Sequence, residues 1–326
     1  MTIEIAHIRQ AQERIFPYVQ PTPLRPSHAL SERLQAKVSL KFETMTATGA
    51  FKLRGATNKL LNLPEDQRAR GVITVSSGNH GRAVAYISKA LGIRAVVCMP
   101  EIVPPEKVAG LRDFGAEIVI HGQNQDEADA EARRIGQRDG LLFVSPFDDA
   151  DVIAGQGTIG LELLEVAPQL DTVLVQLSGG GLMSGVAKAL KSIKPEIEVI
   201  GISSLHGAAM LESIRAGKIV TVEEEPTIAD ALPGPIPPDN RYTFAMCREL
   251  VDDHIQVSED QIAEAMAYIL HNEKCIVEGA GAAGVAALLN HPDRFKGKNV
   301  AAILTGDNIK VERALSIIAK AQSPRT

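Results

Sequence analysis

Short apolar runs of strand length keep exchanging places with longer stretches of helical spacing along most of this chain, and glycine, proline or a polar turn marks each exchange. Residues 38–42 alternate like a strand. Further strand runs follow at 72–75, 95–99, 117–120 and 141–144, separated by helical stretches at 81–91, 105–114 and 125–138. The pattern resumes with a helix carrying Ile159, Leu163 and Val166, strands at 173–177, 199–202 and 300–304, and helices at 186–193, 282–289 and 311–321. Residues 258–272 read as another helix, with Ser258 as N-cap and Gln261 at the capping-box position. Ahead of the alternation, Ile5, Ile8, Ile15 and Phe16 predict a first helix ended by Pro17. An extended link at 21–24 and a helix at 27–34 come next. The acidic, proline-rich segment 223–240 is expected to be a loop over the site. Repeated βα units predict parallel sheets with helices on both faces, and 326 residues suit two such sheets better than one.

Composition narrows the function. Hydrophobic residues make up 45% and charged residues 23%, an ordinary balance for a soluble globular protein. A net charge of −6 argues against nucleic acid or an anionic membrane as principal partner, while leaving room for a basic pocket around a phosphorylated cofactor. Cys98, Cys247 and Cys275 are odd in number and far apart, which reads as reduced thiols of a cytoplasmic protein. The first residues show neither a basic n-region nor an apolar h-region, and no apolar run approaches a membrane span.

Lys52, within Thr48-Gly49-Ala50-Phe51-Lys52-Leu53-Arg54-Gly55-Ala56, stands where a helix should begin. The positive end of the helix dipole and apolar neighbours there should lower its pKa and sharpen the amine as a nucleophile. Three turns share this setting at strand ends. Ser76-Ser77-Gly78-Asn79-His80-Gly81 opens a helix and reads either as an N-capping turn or as a carboxylate site. Within it, Asn79 could hold a phenolate oxygen, and His80 could be a base or an anchor of the turn. Ser178-Gly179-Gly180-Gly181-Leu182 lets a bulky anion approach the backbone, as a phosphate cradle or a tight structural turn would. The Gly-Lys-Ser/Thr ending of a Walker loop is missing, and Gly179, Gly181 and Gly185 do not have dinucleotide spacing. Leu304-Thr305-Gly306-Asp307-Asn308 ends the last strand, where ligands bind in open parallel sheets. Glu278-Gly279-Ala280-Gly281 is a weaker signal, and Cys98 reads as core.

In order and spacing, T-G-A-F-K-L-R-G-A, S-S-G-N-H-G and S-G-G-G-L resemble the serine/threonine dehydratase and serine racemase group of fold type II pyridoxal-phosphate enzymes, over nearly the whole chain. The stretches Gly155-Gln156-Gly157-Thr158-Ile159-Gly160-Leu161-Glu162 and Asp239-Asn240-Arg241-Tyr242-Thr243-Phe244 look most similar to the hydroxyectoine-utilisation dehydratases within it. The resemblance implies an α/β fold like the tryptophan synthase β chain, with two domains of twisted, parallel-rich sheets flanked by helices. Residues 1–47 and 147–326 would form the large domain that binds pyridoxal 5′-phosphate, and 48–146 the small one. It implies that Lys52, next to Phe51, carries the cofactor and serves as base at Cα, and that Asn79 bonds the cofactor's 3′-oxygen. Gly179, Gly180, Gly181 and Leu182 would hold the phosphate, and Thr305 the ring nitrogen. Ser76, Ser77, Gly78, Asn79 and His80 would hold the substrate carboxylate, with Ser77 as a second acid/base opposite Lys52.

The activity implied is loss of water and then ammonia from a β-hydroxy α-amino acid by a cytoplasmic homodimer. Amino-acid racemisation is the runner-up, and a non-catalytic amino-acid sensor a distant alternative. Three departures from the family pattern stand out. Ala50 replaces a common serine with little expected consequence. Ser203 and Ala209 stand where cation-binding relatives carry acids, so no metal is expected. Asp307 replaces a glycine and leaves substrate identity open. The end at Thr326 leads to the expectation that no isoleucine-responsive regulatory domain follows.

Overall fold

The computed structural model describes residues 2–103, 105–223 and 225–322, without the side chains of Glu106 and Lys107. Helix α1 (Ile5–Ile15) precedes strand β1 (Leu24–Pro26), α2 (His28–Leu34) and β2 (Lys37–Phe42). Then come α3 (Lys52–Leu61), α4 (Glu65–Arg70), β3 (Val72–Val75), α5 (Asn79–Leu91), β4 (Ala95–Met99) and α6 (Pro105–Asp113). The next elements are β5 (Glu117–Ile120), α7 (Gln125–Asp139), β6 (Leu142–Phe143), α8 (Ala150–Val166), β7 (Thr172–Gln176) and α9 (Gly181–Ile193). After β8 (Glu198–Ser204) and α10 (Ala209–Ala216), the chain runs to α11 (Thr243–Leu250) without helix or strand among its described residues. Glu224, in the acidic segment expected to form a loop, lies outside those residues. The last elements are β9 (Asp253–Val257), α12 (Glu259–Glu273), α13 (Gly279–Asn290), α14 (Pro292–Phe295), β10 (Asn299–Leu304) and α15 (Val311–Gln322).

Two sheets result, as the alternation predicts. The larger runs β1-β2-β10-β7-β8-β9 and is parallel except for β1 against β2; the smaller, wholly parallel, runs β5-β4-β3-β6. Each central strand is apolar on both faces because helices cover both. Thus Leu174, Ile200, Val300 and Ala302 enter the core under α12 and α13, while Val173, Val175, Val199 and Ala301 enter the one under α8 and α9. In the smaller sheet Ile73, Val75, Val96 and Cys98 face α7, and Val97 and Met99 face α6. Cys98 is core, as the sequence indicates.

Strand order fixes where a ligand can bind. The chain leaves β7 towards β8 on one side, while β10 arrives on the other, so the triglycine and Thr305 turns open side by side at a switch point. In the smaller sheet β3 stands between β4 and β6 in the same way, so the Ser76–His80 turn adjoins the segment that follows β6.

Helix α8 begins earlier than the apolar spacing suggests. Gly155, Gly157 and Gly160 weaken intrinsic helix propensity, but packing requires them. A Cβ on Gly155 would lie 2.7 Å from the Arg54 carbonyl, and one on Gly157 2.9 Å from that of Gly185. Beside this crossing lies a buried charge cluster. The Arg54 guanidinium donates to Glu43 at 2.7 and 2.8 Å and to Glu162 at 2.5 and 2.9 Å, and the Lys41 amine also meets Glu162. Despite burial, the Arg54 and Lys41 charges hold the Glu43 carboxyl below its usual range. Glu162→Ala leaves two buried cations short of a partner and should cost about 3–5 kcal/mol. A denaturation midpoint equal to that of the wild type would contradict this.

Candidate active site

The approach to Lys52 is tied to the end of β10. Phe51 N–H donates to Thr305 O at 3.0 Å, Asp307 N–H donates to Gly49 O at 3.0 Å, and Ala50 bridges Gly306. Gly49 has φ +70°, and a Cβ there would lie 2.3 Å from Asp307 Oδ1, so both backbone and space call for glycine. Lys52 is then the first residue of α3. Its Nζ donates to Pro146 O at 2.5 Å and stands 5.3 Å from the centre of the Phe51 ring. Burial lowers the amine from 10.5 to about 8. Removal from water does this, beyond the helix-end effect the sequence suggested.

Pro146 belongs to the segment after β6, which reaches the other turns as well. The neutral His80 ring donates from Nε2 to Val144 O at 3.1 Å, and Thr74 Oγ1 donates to the same oxygen at 2.9 Å. Burial, reinforced by the Lys52 charge, pushes His80 down to about 3. His80 therefore anchors the turn and is not a base near neutral pH. Ser76 Oγ accepts from Gly78 N–H at 3.2 Å; Ser77 and Asn79 are partly exposed where α5 begins.

The Asn79 amide is held from two sides. Its Nδ2 donates to Glu278 Oε1 at 2.7 Å, and its Oδ1 accepts from Asn308 Nδ2 at 2.6 Å. Asn308 also donates to Thr48 O at 2.8 Å. This sets the amide orientation and leaves the second N–H of Asn79 Nδ2 for a ligand oxygen. Glu278 is pushed up to about 7, chiefly by burial and then by Asp230. Burial likewise raises Asp307 to about 6, against the pull of the Arg82 charge.

Gly179 and Gly180 precede α9, and Gly181 is its first residue. Gly180 has φ +86°. A Cβ on Gly179 would meet the Phe147 ring at 2.5 Å, one on Gly181 the Phe147 carbonyl at 2.8 Å, and one on Gly180 Thr243 and Cys247 at 2.9 Å. The turn is thus a cradle of bare backbone, with Leu182 following it into the helix. Such N–H groups at a helix N-terminus suit a phosphate. An amine near 8, a fixed amide donor and a strand-end hydroxyl at Thr305 complete a donor set that fits pyridoxal phosphate.

Residues 15–306 match the family described as pyridoxal-phosphate dependent enzymes, and the chain belongs to it. It is 42% identical to an L-threonine ammonia-lyase of Thermotoga maritima, over 98% of this chain and 79% of that protein. Identity to the catabolic L-threonine dehydratase of Escherichia coli K12 is 40%, covering 97% of this chain and 96% of that one. Among solved structures, maize serine racemase superposes with a TM-score of 0.91 at 36% identity, covering 98% of both chains.

Sequence reasoning passed over the segment 145–149, and it named Asn308, Thr243 and Cys247 without giving them a part in the site. The first carried a usable signal in Pro146-Phe147-Asp148-Asp149, a turn leading to a capped helix. If burial sets the amine, cofactor uptake by the cofactor-free protein should rise with pH as Lys52 loses its proton and level off above about 8. Stopped-flow absorbance would show this; a rate still climbing towards 10.5 would mean an unshifted lysine.

Proposed function

We propose that this pyridoxal-phosphate enzyme is a lyase that removes water and then ammonia from a β-hydroxy α-amino acid, giving a 2-oxo acid. The observation that carries the reading is the recessed Lys52 amine, near 8, set among the Asn79 turn, the triglycine turn and Thr305. Bound pyridoxal phosphate supplies the electron sink that makes a Cα proton removable. Lys52 would hold the cofactor, and its amine would be the base that takes that proton. The first-turn N–H groups of α5 and the Ser76 and Ser77 hydroxyls hold the substrate carboxylate. Asn79 would donate to the cofactor's 3′-oxygen, Gly179 to Leu182 would hold its phosphate, and Thr305 would serve the ring nitrogen. Phe51 lines the pocket beside Lys52.

Racemisation is a second reading, supported by the likeness to maize serine racemase and by Ser77 as acid/base on the face opposite Lys52. We place the protein in the cytoplasm as a homodimer, with residues 48–146 as the small domain. In support, every strand of the smaller sheet comes from within that span, and all three cysteines are unpaired.

The test is a panel of serine, threonine, 3-hydroxyaspartate, an aryl-serine and hydroxyectoine breakdown products, scored for 2-oxo acid release and for chirality of recovered substrate. Borohydride reduction should place a pyridoxyl group on Lys52, and Lys52→Ala should lose both the label and turnover. Label on another side chain would overturn the reading. Ser77→Ala should abolish racemisation while elimination persists at a reduced rate. Racemisation at the wild-type rate would remove Ser77 from the acid/base role.

A further inference from the structure

Asp148 lies between β6 and α8, yet its side chain serves a distant part of the chain. One carboxylate oxygen accepts from Tyr242 N–H at 2.9 Å and Thr243 N–H at 3.0 Å; the other accepts from Arg241 N–H at 2.7 Å. These amides lead into α11, whose own N-cap residue, Tyr242, makes no side-chain cap. Asn240 Oδ1 accepts from Phe244 N–H at 3.0 Å, while the amides of 241 to 243 are capped by Asp148, 93 to 95 positions earlier. Helix α11 then presses Thr243 and Cys247 against Gly180, and Cys247 Sγ lies 3.8 Å from Gly180 O and 3.5 Å from Ser184 Oγ. The neighbour of Asp148 on the other side, Phe147, closes over Gly179 and Gly181.

The triglycine turn is therefore gripped between two jaws, Phe147 and α11, and one carboxylate joins them. We propose that Asp148 is a positioning residue for the phosphate turn. By fixing the gap between the jaws, it keeps the glycine N–H groups converged before any ligand arrives. This rests on the phosphate reading of residues 179–182. Three charge-assisted hydrogen bonds to one group are strong and directional, and a binding site preset in this way spares the ligand the cost of ordering it. The Asp148 carboxylate is committed to the amides of Arg241, Tyr242 and Thr243. A cap that served only stability would leave the affinity for phosphate unmoved.

The experiment titrates cofactor-free protein with pyridoxal phosphate and reads the bound phosphate by phosphorus NMR, for the wild type, Asp148→Ala, Asp148→Asn and Asp149→Ala. Asp149 is the stability control: it caps α8 through Asp151 and Val152 N–H at 2.9 and 3.1 Å and does not reach α11. Asp148→Ala should weaken cofactor affinity about tenfold or more and shift or broaden the phosphorus line. It should also speed amide exchange at residues 241–243. Asp148→Asn keeps an acceptor for Tyr242 and Thr243 and should fall between, while Asp149→Ala should lose thermal stability with its affinity intact. The proposal is overturned if both Asp148 variants bind within about twofold of wild type, or if Asp149→Ala weakens binding as much. Should the alanine variant fail to fold, the asparagine variant decides on the same threshold. Wild-type protein that took up pyridoxal as tightly as its phosphate would instead sink the phosphate reading itself, whatever Asp148 does.

Discussion

Two main-chain hydrogen bonds, Phe51 N–H to Thr305 O and Asp307 N–H to Gly49 O, join the approach to Lys52 to the end of the last strand. Every other part of the site is placed relative to this splice. Because β10 lies beside β7, the end that holds residues 49–51 also neighbours the triglycine turn. The amine and the triglycine turn therefore share one sheet edge. Helix α3, started by the splice, carries Arg54 inward to Glu43 and Glu162, so the buried charges lock the helix two residues after the amine. Desolvating that cluster is costly, and well-packed apolar residues could be as stable. What ions add is direction, since a forked guanidinium fits only one register of α3 against α8.

The second sheet contributes by the same rule. Its switch point brings the Ser76–His80 turn next to the segment after β6, and that segment meets the turn, the Lys52 amine and the glycines. Val144 O takes the His80 proton donor, Pro146 O takes the Lys52 amine, and Phe147 covers the glycines. A segment with no repeating structure can serve several elements because its carbonyls are not committed to a ladder. Its own turn is held by Ser145, whose Oγ accepts from Asp148 N–H at 3.1 Å.

Much of this was legible in the residues. The alternation announced parallel sheets, and the three turns lie where strands end because polar, small-residue motifs cannot continue a buried strand. Ser258 with Gln261 forms the expected capping box. Other features were hidden for physical reasons. The start of α8 looks non-helical until α3 and α9 are packed against its glycines. Strand β9 opens with Asp253 and His254, polar because it is an edge strand, so apolar alternation could not reveal it. Helix α11 has a local cap in Asn240, but the carboxylate that takes its amides at 241 to 243 comes from Asp148, too far off in sequence to be read there. The lowered Lys52 pKa, by contrast, was expected from a helix end and apolar neighbours, and removal from water by the folded chain supplies it.

The acids around Asn79 show how the site separates its charges. Glu278 and Asp307 both have raised pKa values through burial; Glu278 accepts from the Asn79 amide, and Asp307 lies against Gly49. A carboxylate facing the cradle would repel a phosphate; one behind Asn79 instead pulls an amide proton towards itself and fixes which end of the amide faces the cleft. Asn308 completes the arrangement by donating to Asn79 Oδ1, so the amide cannot flip without losing both bonds. Glu278 takes one Asn79 N–H, and the fixed amide leaves the other for a ligand oxygen.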